Sequence, residues 1–266
     1  MRRHFHKMHG LGNDFVIVDA RQEPFEVTPP LARAIADRRT GVGCDQLIVL
    51  EPSDRADLKM RIWNSDGGEV ESCGNATRCV VQLTGATRID SDGGLIEGED
   101  LGAEVEVSFG EPRFGWDEIP LAYPMDTGGL PLGWGPLKAP IAVNVGNPHL
   151  VFFVEDGGAI PLAELGPEIE TDAAFPERIN VNIANIGKPG IALTTWERGA
   201  GLTLACGTGA CATAVAAIKS RRVTSPVKVY MPGGTLTVAW QAGEPVRMRG
   251  SATHVFEGEL DLEALQ

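Results

Sequence analysis

The chain has 266 residues, of which 43% are hydrophobic, and a formal net charge of −13 at pH 7. This length is long for one hydrophobic core and suits two domains of about 130 residues each. So acidic a chain lacks the basic face that nucleic acid requires, and it gains no attraction to anionic membranes. We therefore expect no nucleic-acid partner and no membrane partner.

No stretch reaches the ~18 apolar residues of a membrane-spanning helix. The basic start, residues 1–7, is not followed by the apolar run of a signal peptide. The cysteines should therefore stay reduced, and their odd number, five, fits poorly with a disulfide framework. These observations predict a cytoplasmic protein.

Short apolar runs punctuated by glycine and proline predict mainly strands. In chain order they are 15–19, 47–50, 58–63, 103–109, 141–145, 150–154, 191–196, 227–231 and 236–240. Helices are predicted at 31–39, 75–83 and 209–219, the last of which is rich in alanine. Small side chains on all faces suit a helix that a sheet encloses. We therefore predict that each half of the chain folds as strands around one buried helix, and that this helix begins at a cysteine.

Two sequence patterns recur at one offset, which is half the length of the chain. Cys73 lies in Ser-Cys-Gly-Asn-Ala, and Cys206 lies in Ala-Cys-Gly-Thr-Gly half a chain length later. Trp63 and Trp196 end matching strands and are separated by the same distance in sequence as the two cysteines. Repetition at a fixed offset indicates an internal duplication.

A third match supports the duplication. Asn13 and Asn147 each follow a glycine, and they are one residue farther apart in the sequence than the two cysteines are. We predict an α/β (α+β) fold of two pseudo-symmetric domains, each a mainly antiparallel sheet wrapped around a central helix. The domains should cover 1–115 and 116–254, with a final strand near 255–266 that returns to the first. The glycine-rich segment 110–140 should contain the crossover between them.

Cys73 and Cys206 each precede a glycine at a predicted helix start. Unpaired N–H groups and the dipole of a helix N-terminus stabilise thiolate, and the same N–H groups bind carboxylate. Two such helix starts meeting at one point would hold an α-carboxylate and set one sulfur on each side of the α-carbon. Inversion of a stereocentre requires this geometry. Cys44, Cys79 and Cys211 are expected to be small buried hydrophobic residues.

The spacing of the cysteines does not predict a zinc site. Five residues separate Cys73 from Cys79 and four separate Cys206 from Cys211, without the histidine pair of the usual arrangement. The glycines at 41–43 and 207–209 complete no nucleotide-binding motif. We therefore expect no metal and no cofactor.

Several polar side chains stand at the ends of predicted strands. Neutral amides both donate and accept hydrogen bonds, so they can bind ammonium and carboxylate groups. These amides are Asn13, Gln46, Asn64, Asn147 and Asn180. Arg198 suits a second carboxylate and Glu197 a second ammonium, although an exposed ion pair is the simpler interpretation. His149 heads an apolar strand, where it is either structural or able to collect a proton from a nearby thiol.

Together these residues resemble the diaminopimelate epimerase family, and the resemblance covers the whole chain. The segments that resemble it are His9-Gly-Leu-Gly-Asn-Asp-Phe15, Gly43-Cys-Asp-Gln-Leu47, Asn64-Ser-Asp-Gly-Gly68, Cys73-Gly-Asn-Ala-Thr-Arg78, Gly146-Asn-Pro-His149, Glu197-Arg-Gly-Ala-Gly201 and Ala205-Cys-Gly-Thr-Gly-Ala-Cys211. Two positions depart from the family pattern. Gly68 stands where serine is expected, and Phe256 stands where many bacterial members have tyrosine at the dimer contact.

The resemblance implies cofactor-independent interconversion of LL- and meso-diaminopimelate, in lysine and peptidoglycan precursor synthesis, by a homodimer that binds its substrate between the two domains. It implies that Cys73 and Cys206 are the catalytic base and acid and exchange roles with direction. His149 and Glu197 are implied to assist proton movement. The implied substrate contacts are Asn13, Gln46, Asn64, Gly74, Asn75, Asn147, Asn180, Glu197, Arg198, Gly207 and Thr208.

Two alternatives stay open from the sequence. A proline or hydroxyproline racemase shares the plan of two cysteines, although Glu197, Arg198 and the amides favour a substrate with a second amino-acid end. A thiol redox sensor would instead join the two cysteines in a disulfide.

Overall fold

The structure, a computed structural model, describes residues 2–265. Its α-helices are α1 (Pro29–Ala36), α2 (Gly74–Thr84), α3 (Leu162–Glu170) and α4 (Gly207–Lys219), and Gly157–Ala159 forms a short 3₁₀ helix. Its strands are β1 (Arg2–Gly10), β2 (Asn13–Asp19), β3 (Gln46–Glu51), β4 (Leu58–Asn64), β5 (Glu69–Val70), β6 (Arg88–Ser91), β7 (Gly94–Asp100), β8 (Val105–Ser108), β9 (Gly133–Trp134), β10 (Leu137–Lys138), β11 (Ile141–Asn144), β12 (Pro148–Phe153), β13 (Asn180–Ile186), β14 (Ile191–Glu197), β15 (Gly201–Thr203), β16 (Val227–Met231), β17 (Gly234–Ala239), β18 (Arg247–Gly250) and β19 (Thr253–Asp261). None of the helices in the described range is long and apolar enough to cross a membrane.

The chain folds into two compact units. The first contains the residues up to Val107 and those from Gly250 onward, and the second is Ser108–Arg249. The second unit is therefore continuous in sequence, whereas the first is made of two segments. These segments join where β19 pairs antiparallel with β1 along nearly its whole length.

The boundaries between the units differ from those expected from the sequence, which were residue 115 and residue 255. The chain leaves the first unit earlier because Phe109 N–H donates a hydrogen bond to the carbonyl of Val246, within the second unit. The backbone of Arg113 likewise pairs with Asn144. Residues 108–115 therefore belong with the second unit.

The two units repeat one order of strand pairing. In the first, β2 pairs in parallel with β3, β3 antiparallel with β4, and β4 in parallel with β6, which forms a hairpin with β7. In the second, β12, β13, β14, β16 and β17 pair in the same succession and with the same directions. The predicted mixed α/β architecture, rich in antiparallel sheet and with few helices, is confirmed.

Each unit has two α-helices packed against its strands. In the first unit, Val16 and Val18 of β2 pack with Ile35 of α1, and α2 contacts β1, β7 and β19. In the second, Phe152 and Ile183 pack with Ile169 of α3, and α4 contacts β11, β12, β13, β14, β16 and β17. Strands covered on both faces read as continuous apolar runs rather than as alternating ones.

Helices α2 and α4 begin as predicted, with Cys73 as the N-cap of α2 and Cys206 as the N-cap of α4. Helix α2 ends at Gly85, whose φ of 69° is the left-handed conformation that glycine adopts most easily. Along α4 the alanines at 210, 212, 214, 216 and 217 are fully buried, which lets strands approach the helix on every side.

Candidate active site

The strand order brings the predicted polar residues of the first unit to one edge of its sheet. Asn13 is the first residue of β2 and Gln46 the first of β3, and these strands are parallel. Asn64 is the last residue of β4, which runs antiparallel to β3. The starts of two parallel strands and the end of an antiparallel neighbour lie at the same edge of a sheet. The side chain of Gln46 donates to Asn64 at 2.9 Å.

The second unit repeats this edge. Asn147 immediately precedes β12, Asn180 opens β13 and Glu197 closes β14. Asn180 therefore stands where Gln46 stands in the first unit, and Glu197 stands where Asn64 does. The equivalence of Asn64 and Glu197 agrees with the sequence match of Trp63 and Trp196, and the strand pairing adds the equivalence of Gln46 and Asn180.

Cys73 lies among hydrogen-bonded amides. Its partly buried thiol donates to Asn13 Oδ1 at 3.7 Å, and the amide of Asn75 donates to the same oxygen at 3.2 Å. The Asn13 amide group in turn donates to Asp45 at 3.0 Å. Asn75 is held by the fully buried Arg78, which donates to Asn75 Oδ1 at 2.9 Å. Asp45 and Arg78 therefore orient the amides around the thiol, and both lie in segments that resemble the family.

A cluster of charged side chains around Asp14 and Asp45 stabilises this arrangement. Arg38 donates to Asp45 and to both oxygens of Asp14, and Lys7 bonds to Asp14 as well. Burial acts to raise the pKa of Asp14, but the hydrogen bonds from Arg38 and Lys7 outweigh it and hold the pKa well below its usual value. Asp14 is therefore ionised, and the loop that bears Asp45 is fixed next to Asn13.

Gln46 retains hydrogen-bonding capacity for a ligand. Its side-chain oxygen is buried and has no hydrogen-bond partner among the described residues. A buried acceptor left unpaired costs free energy, so a polar partner is expected there. The ammonium group of an amino acid is a donor of the right kind.

Cys206 is buried more deeply than Cys73, with 3% of its surface exposed. The N–H of Gly209 donates to its sulfur at 3.3 Å, and Thr208 Oγ1 lies 3.6 Å from it. Burial, followed by the negative charge of Glu197, nevertheless raises the pKa of Cys206 well above that of a free thiol. Helix amides alone would stabilise thiolate, as expected from the sequence, but desolvation and the carboxylate outweigh them here. Cys206 is therefore a thiol near neutral pH.

Glu197 is the partner of this thiol. Its carboxylate forms a hydrogen bond with Cys206 and accepts another from Thr203 Oγ1 at 2.5 Å. The equivalent position in the first unit holds Asn64, which is neutral at all pH values. The two cysteines therefore occupy matching places in the fold but differ in electrostatic surroundings, and only Glu197 could accept a proton from its neighbour.

His149 is fully buried and engaged at both ring nitrogens. Asn182 donates to Nδ1 at 3.1 Å, so the proton of the neutral ring lies on Nε2, which donates to Asn147 Oδ1 at 2.8 Å. Burial, and then the charge of Arg198, lower the pKa of His149 to about 3. The imidazole is neutral near pH 7, and its geometry suits it to orienting Asn147.

The network around His149 exists only in the second unit. Asn182 also donates to the carbonyl of Leu150 at 2.9 Å and accepts from Thr195 Oγ1 at 3.0 Å. The matching register positions of the first unit hold apolar residues, which are Phe15, Ile48 and Ile62. A Cβ at Gly209 would lie 2.6 Å from Asn182 Oδ1, so this glycine lets the helix start reach the network.

The remaining predicted contacts are two side chains of the second unit and the first-turn residues of α2 and α4. Asn180 donates to the carbonyl of Pro148 at 2.8 Å and accepts from the N–H of Arg198 at 2.9 Å. The guanidinium of Arg198 donates to the carbonyl of Glu177 at 3.0 Å. First-turn N–H groups point away from a helix towards outside acceptors. The residues that supply them are Gly74 and Asn75 in α2 and Gly207 and Thr208 in α4.

The fold is shared with solved structures of low sequence identity. A solved hydroxyproline epimerase from Agrobacterium vitis, with bound trans-4-hydroxy-L-proline, superposes with a TM-score of 0.69. The match covers 97% of this chain and 92% of that one at 15% sequence identity, a level that shows the fold alone. The comparison therefore shows that this chain has the same fold as that epimerase.

The sequence comparisons define the family. The family model described as diaminopimelate epimerase matches residues 5–114 and 141–255. A diaminopimelate epimerase of Rhizorhabdus wittichii is 61% identical over 267 residues, covering 99% of this chain and 97% of that one. Another, of Sphingopyxis alaskensis, is 59% identical over 263 residues, covering 98% of each. The chain belongs to the diaminopimelate epimerase family.

Replacement of His149 by glutamine should flatten the acid dependence of stability. Because the pKa of His149 falls from 6.5 to about 3 on folding, its contribution is complete above pH 6.5 and is lost as the pH falls towards 3. Below pH 6.5 the wild-type free energy of unfolding should fall more steeply than that of His149→Gln, by up to about 1.4 kcal/mol per pH unit. Urea titrations at several pH values measure this. Between pH 7.5 and 8.5 the difference should be constant, and equal slopes in acid would contradict the assignment.

Replacement of Glu197 by glutamine should lower the pKa of Cys206, because it removes a negative charge that raises it. The pH midpoint for alkylation of Cys206 by iodoacetamide, followed by peptide mass spectrometry in Cys73→Ala protein, should move to lower pH. Glu168→Gln makes the same charge change on the exposed side of α3 and should leave the midpoint in place. A midpoint unchanged in Glu197→Gln would refute the electrostatic role.

Proposed function

We propose that the protein is a cofactor-independent epimerase that interconverts LL- and meso-diaminopimelate, in the synthesis of lysine and peptidoglycan precursors. The observation that supports this most strongly is the duplicated cysteine N-cap. In each unit a cysteine caps a buried helix beside a polar side chain from the end of a strand, Asn13 next to Cys73 and Glu197 next to Cys206. A reaction that removes a proton from one face of a carbon and returns one to the other face needs two such groups. The names of the family relatives supply the substrate.

The proposed reaction begins with one cysteine as thiolate and the other as thiol. The thiolate takes the α-proton, the C–H electron pair remains on the substrate as a carbanion, and the thiol donates its proton to the opposite face. The enzyme ends with the two protonation states exchanged and returns them in the reverse reaction. The raised pKa of Cys206 favours a resting state in which Cys206 is the thiol and Cys73 the base.

Glu197 serves the opposite direction in this proposal. For Cys206 to act as a base, its thiol proton must leave, and the hydrogen-bonded carboxylate of Glu197 is the adjacent acceptor. A carboxylate within hydrogen-bond reach of a thiol can act as its general base. Asn64 cannot do so for the first unit, so the proposed mechanism is chemically asymmetric although the fold is duplicated.

The helix starts would bind the carboxylate next to the reacting carbon. Removal of the α-proton places negative charge on this carboxylate, and N–H groups fixed in position stabilise that charge. Gly74, Asn75, Gly207 and Thr208 supply these N–H groups. The unpaired oxygen of Gln46 would accept from an ammonium group, and the planar guanidinium of Arg198 suits the second carboxylate.

His149 has a positioning role in the proposal, in place of the proton-carrying role implied by the resemblance. Its pKa of about 3 makes it a poor proton acceptor near neutral pH. Its Nε2–H fixes the amide of Asn147, which then presents its N–H₂ group to the substrate. Asn182 secures the tautomer by donating to Nδ1.

The direct test uses purified protein and LL-diaminopimelate without added pyridoxal phosphate. Wild type should form the meso isomer, and Cys73→Ala and Cys206→Ala should each lower kcat by at least about 10²-fold. Cys44→Ala removes a buried thiol from elsewhere in the first unit and should retain activity. In D₂O, deuterium should appear in new product before it appears in recovered substrate. Equal early labelling of both, or racemisation of proline instead, would overturn the proposal.

We further propose that the protein is a cytoplasmic homodimer that associates through β19. Val255 and Phe256 expose 54% and 46% of their surfaces, and the Phe256 ring meets Phe5 edge-on at a centroid distance of 6.0 Å. Large exposed apolar side chains on neighbouring positions mark interaction surfaces. The family resemblance places its dimer contact at this residue.

Phe256→Asp should therefore shift sedimentation equilibrium from dimer towards monomer, because it would bury a charge in the interface. Leu202→Asp, at a side chain 49% exposed in the second unit, is the matched control and should leave the dimer intact. A monomeric wild type, or equal dissociation by both changes, would contradict the assignment of this surface.

A further inference from the structure

We propose that the protein binds a divalent transition-metal ion, with Zn²⁺ the best fit, at a second site formed by His6, His254 and Glu257. These side chains lie on the β1–β19 strand pair of the first unit. The ligand atoms of the three residues all lie within 4.8 Å of one another. Neither Cys73 nor Cys206 belongs to this cluster.

Strand pairing gives the cluster its first two members. His6 of β1 stands directly opposite Glu257 of β19, so their side chains leave the same face of the pair. The neighbouring pair, Lys7 and Phe256, faces the other way, as alternate residues of strands do. The proposed metal face is therefore opposite to the face where Phe256 meets Phe5.

A β-bulge adds the third member. The register shifts between Lys7 and Met8, so Phe256 pairs with Lys7 and His254 pairs with Met8, which leaves Val255 as the extra residue. One extra residue reverses the side-chain alternation on that strand. His254 consequently projects from the same face as Glu257, whereas in a regular strand it would project from the opposite one.

Two of the distances in the cluster are close to those between zinc ligands. His6 Nδ1 lies 3.2 Å from His254 Nε2 and 3.6 Å from Glu257 Oε2. Donors bound to tetrahedral zinc at about 2.0–2.1 Å lie about 3.3–3.4 Å from one another. The distances from His6 to the other two ligand atoms are thus close to this spacing, and the three atoms, all within 4.8 Å of one another, would move closer together to bind an ion between them.

The ligand types and surroundings also fit. Two imidazoles and a carboxylate form a common set of protein ligands for zinc. His4 Nε2 lies 3.8 Å from Glu257 Oε2 and its ring meets that of His6 edge-on, so His4 or a water could complete the coordination. The cluster joins opposite ends of the sequence, His6 and His254, and a bound ion would fasten β19 to β1.

Zinc binding is best measured in Cys73→Ala/Cys206→Ala protein, because the catalytic thiols would otherwise compete for the metal. After treatment with a chelator, equilibrium dialysis against Zn²⁺ with elemental mass spectrometry should find one ion per chain. Co²⁺ should give visible d–d absorption without the thiolate charge-transfer band. Zn²⁺ should also raise the thermal midpoint of this protein. None of these measurements depends on epimerase activity.

His254→Gln and Glu257→Gln, placed in the same background, should each weaken binding at least tenfold and abolish the rise in thermal midpoint. Both side chains are exposed, so the fold should tolerate their replacement, which circular dichroism verifies. Glu259→Gln removes another exposed carboxylate from β19 and is the matched control, with binding retained. Absence of stoichiometric zinc, or equal binding by all three variants, would overturn the proposal.

Discussion

The start of a buried helix leaves N–H groups that need acceptors, and this requirement governs the organisation of both units. A buried helix start is stable only if side chains, water or a ligand accept from those groups. In this chain Cys73 and Cys206 occupy the two N-caps, with Asn13 next to the first thiol and Glu197 next to the second. The property that makes such an end costly to bury also makes it able to bind a carboxylate and to influence a thiol.

The two units have the same order of strand pairing but differ in the polar and charged side chains at equivalent positions. The pairing order of the strands is the same in both units, and the capping cysteines are equivalent. At the edge position, however, Asn64 is matched by Glu197, and a buried apolar pair, Ile48 and Ile62, is matched by Asn182 and Thr195. A buried polar network is stable only when its members are paired, and this one is paired through His149. The second unit therefore fixes Asn147 through a buried imidazole and has a carboxylate where the first has the amide of Asn64.

Much of this fold could be predicted from the sequence, because the repeated cysteine segments and the helix signals are local. Helix α3 could not, since it contains Gly166 and Pro167, which normally argue against a helix. The glycine is needed there because a Cβ would lie 2.4 Å from the ring of Trp196. Tertiary contact, invisible in a linear pattern, therefore outweighs local propensity in α3.

The pKa shifts of the site residues were harder to predict than which residues form the site. The sequence indicated a helix start that favours thiolate at Cys206, but not the degree of burial or the adjacent Glu197, which together reverse the direction of the pKa shift. Likewise, the histidine cluster joins opposite ends of the sequence through strand register and one bulge, neither of which a spacing rule detects.

The pairing of β1 with β19 affects the order in which the nascent protein can fold. The second unit, Ser108–Arg249, is complete in sequence before the last strand leaves the ribosome, whereas the first unit must wait for residues 253–261. Domains generally fold as units during synthesis, the N-terminal one first. Here the N-terminal segment emerges with its β1 edge unpaired and stays vulnerable to aggregation until β19 has been synthesised. Folding of the first unit thus depends on β19, and removal of this strand would damage the unit whose other strands are synthesised first.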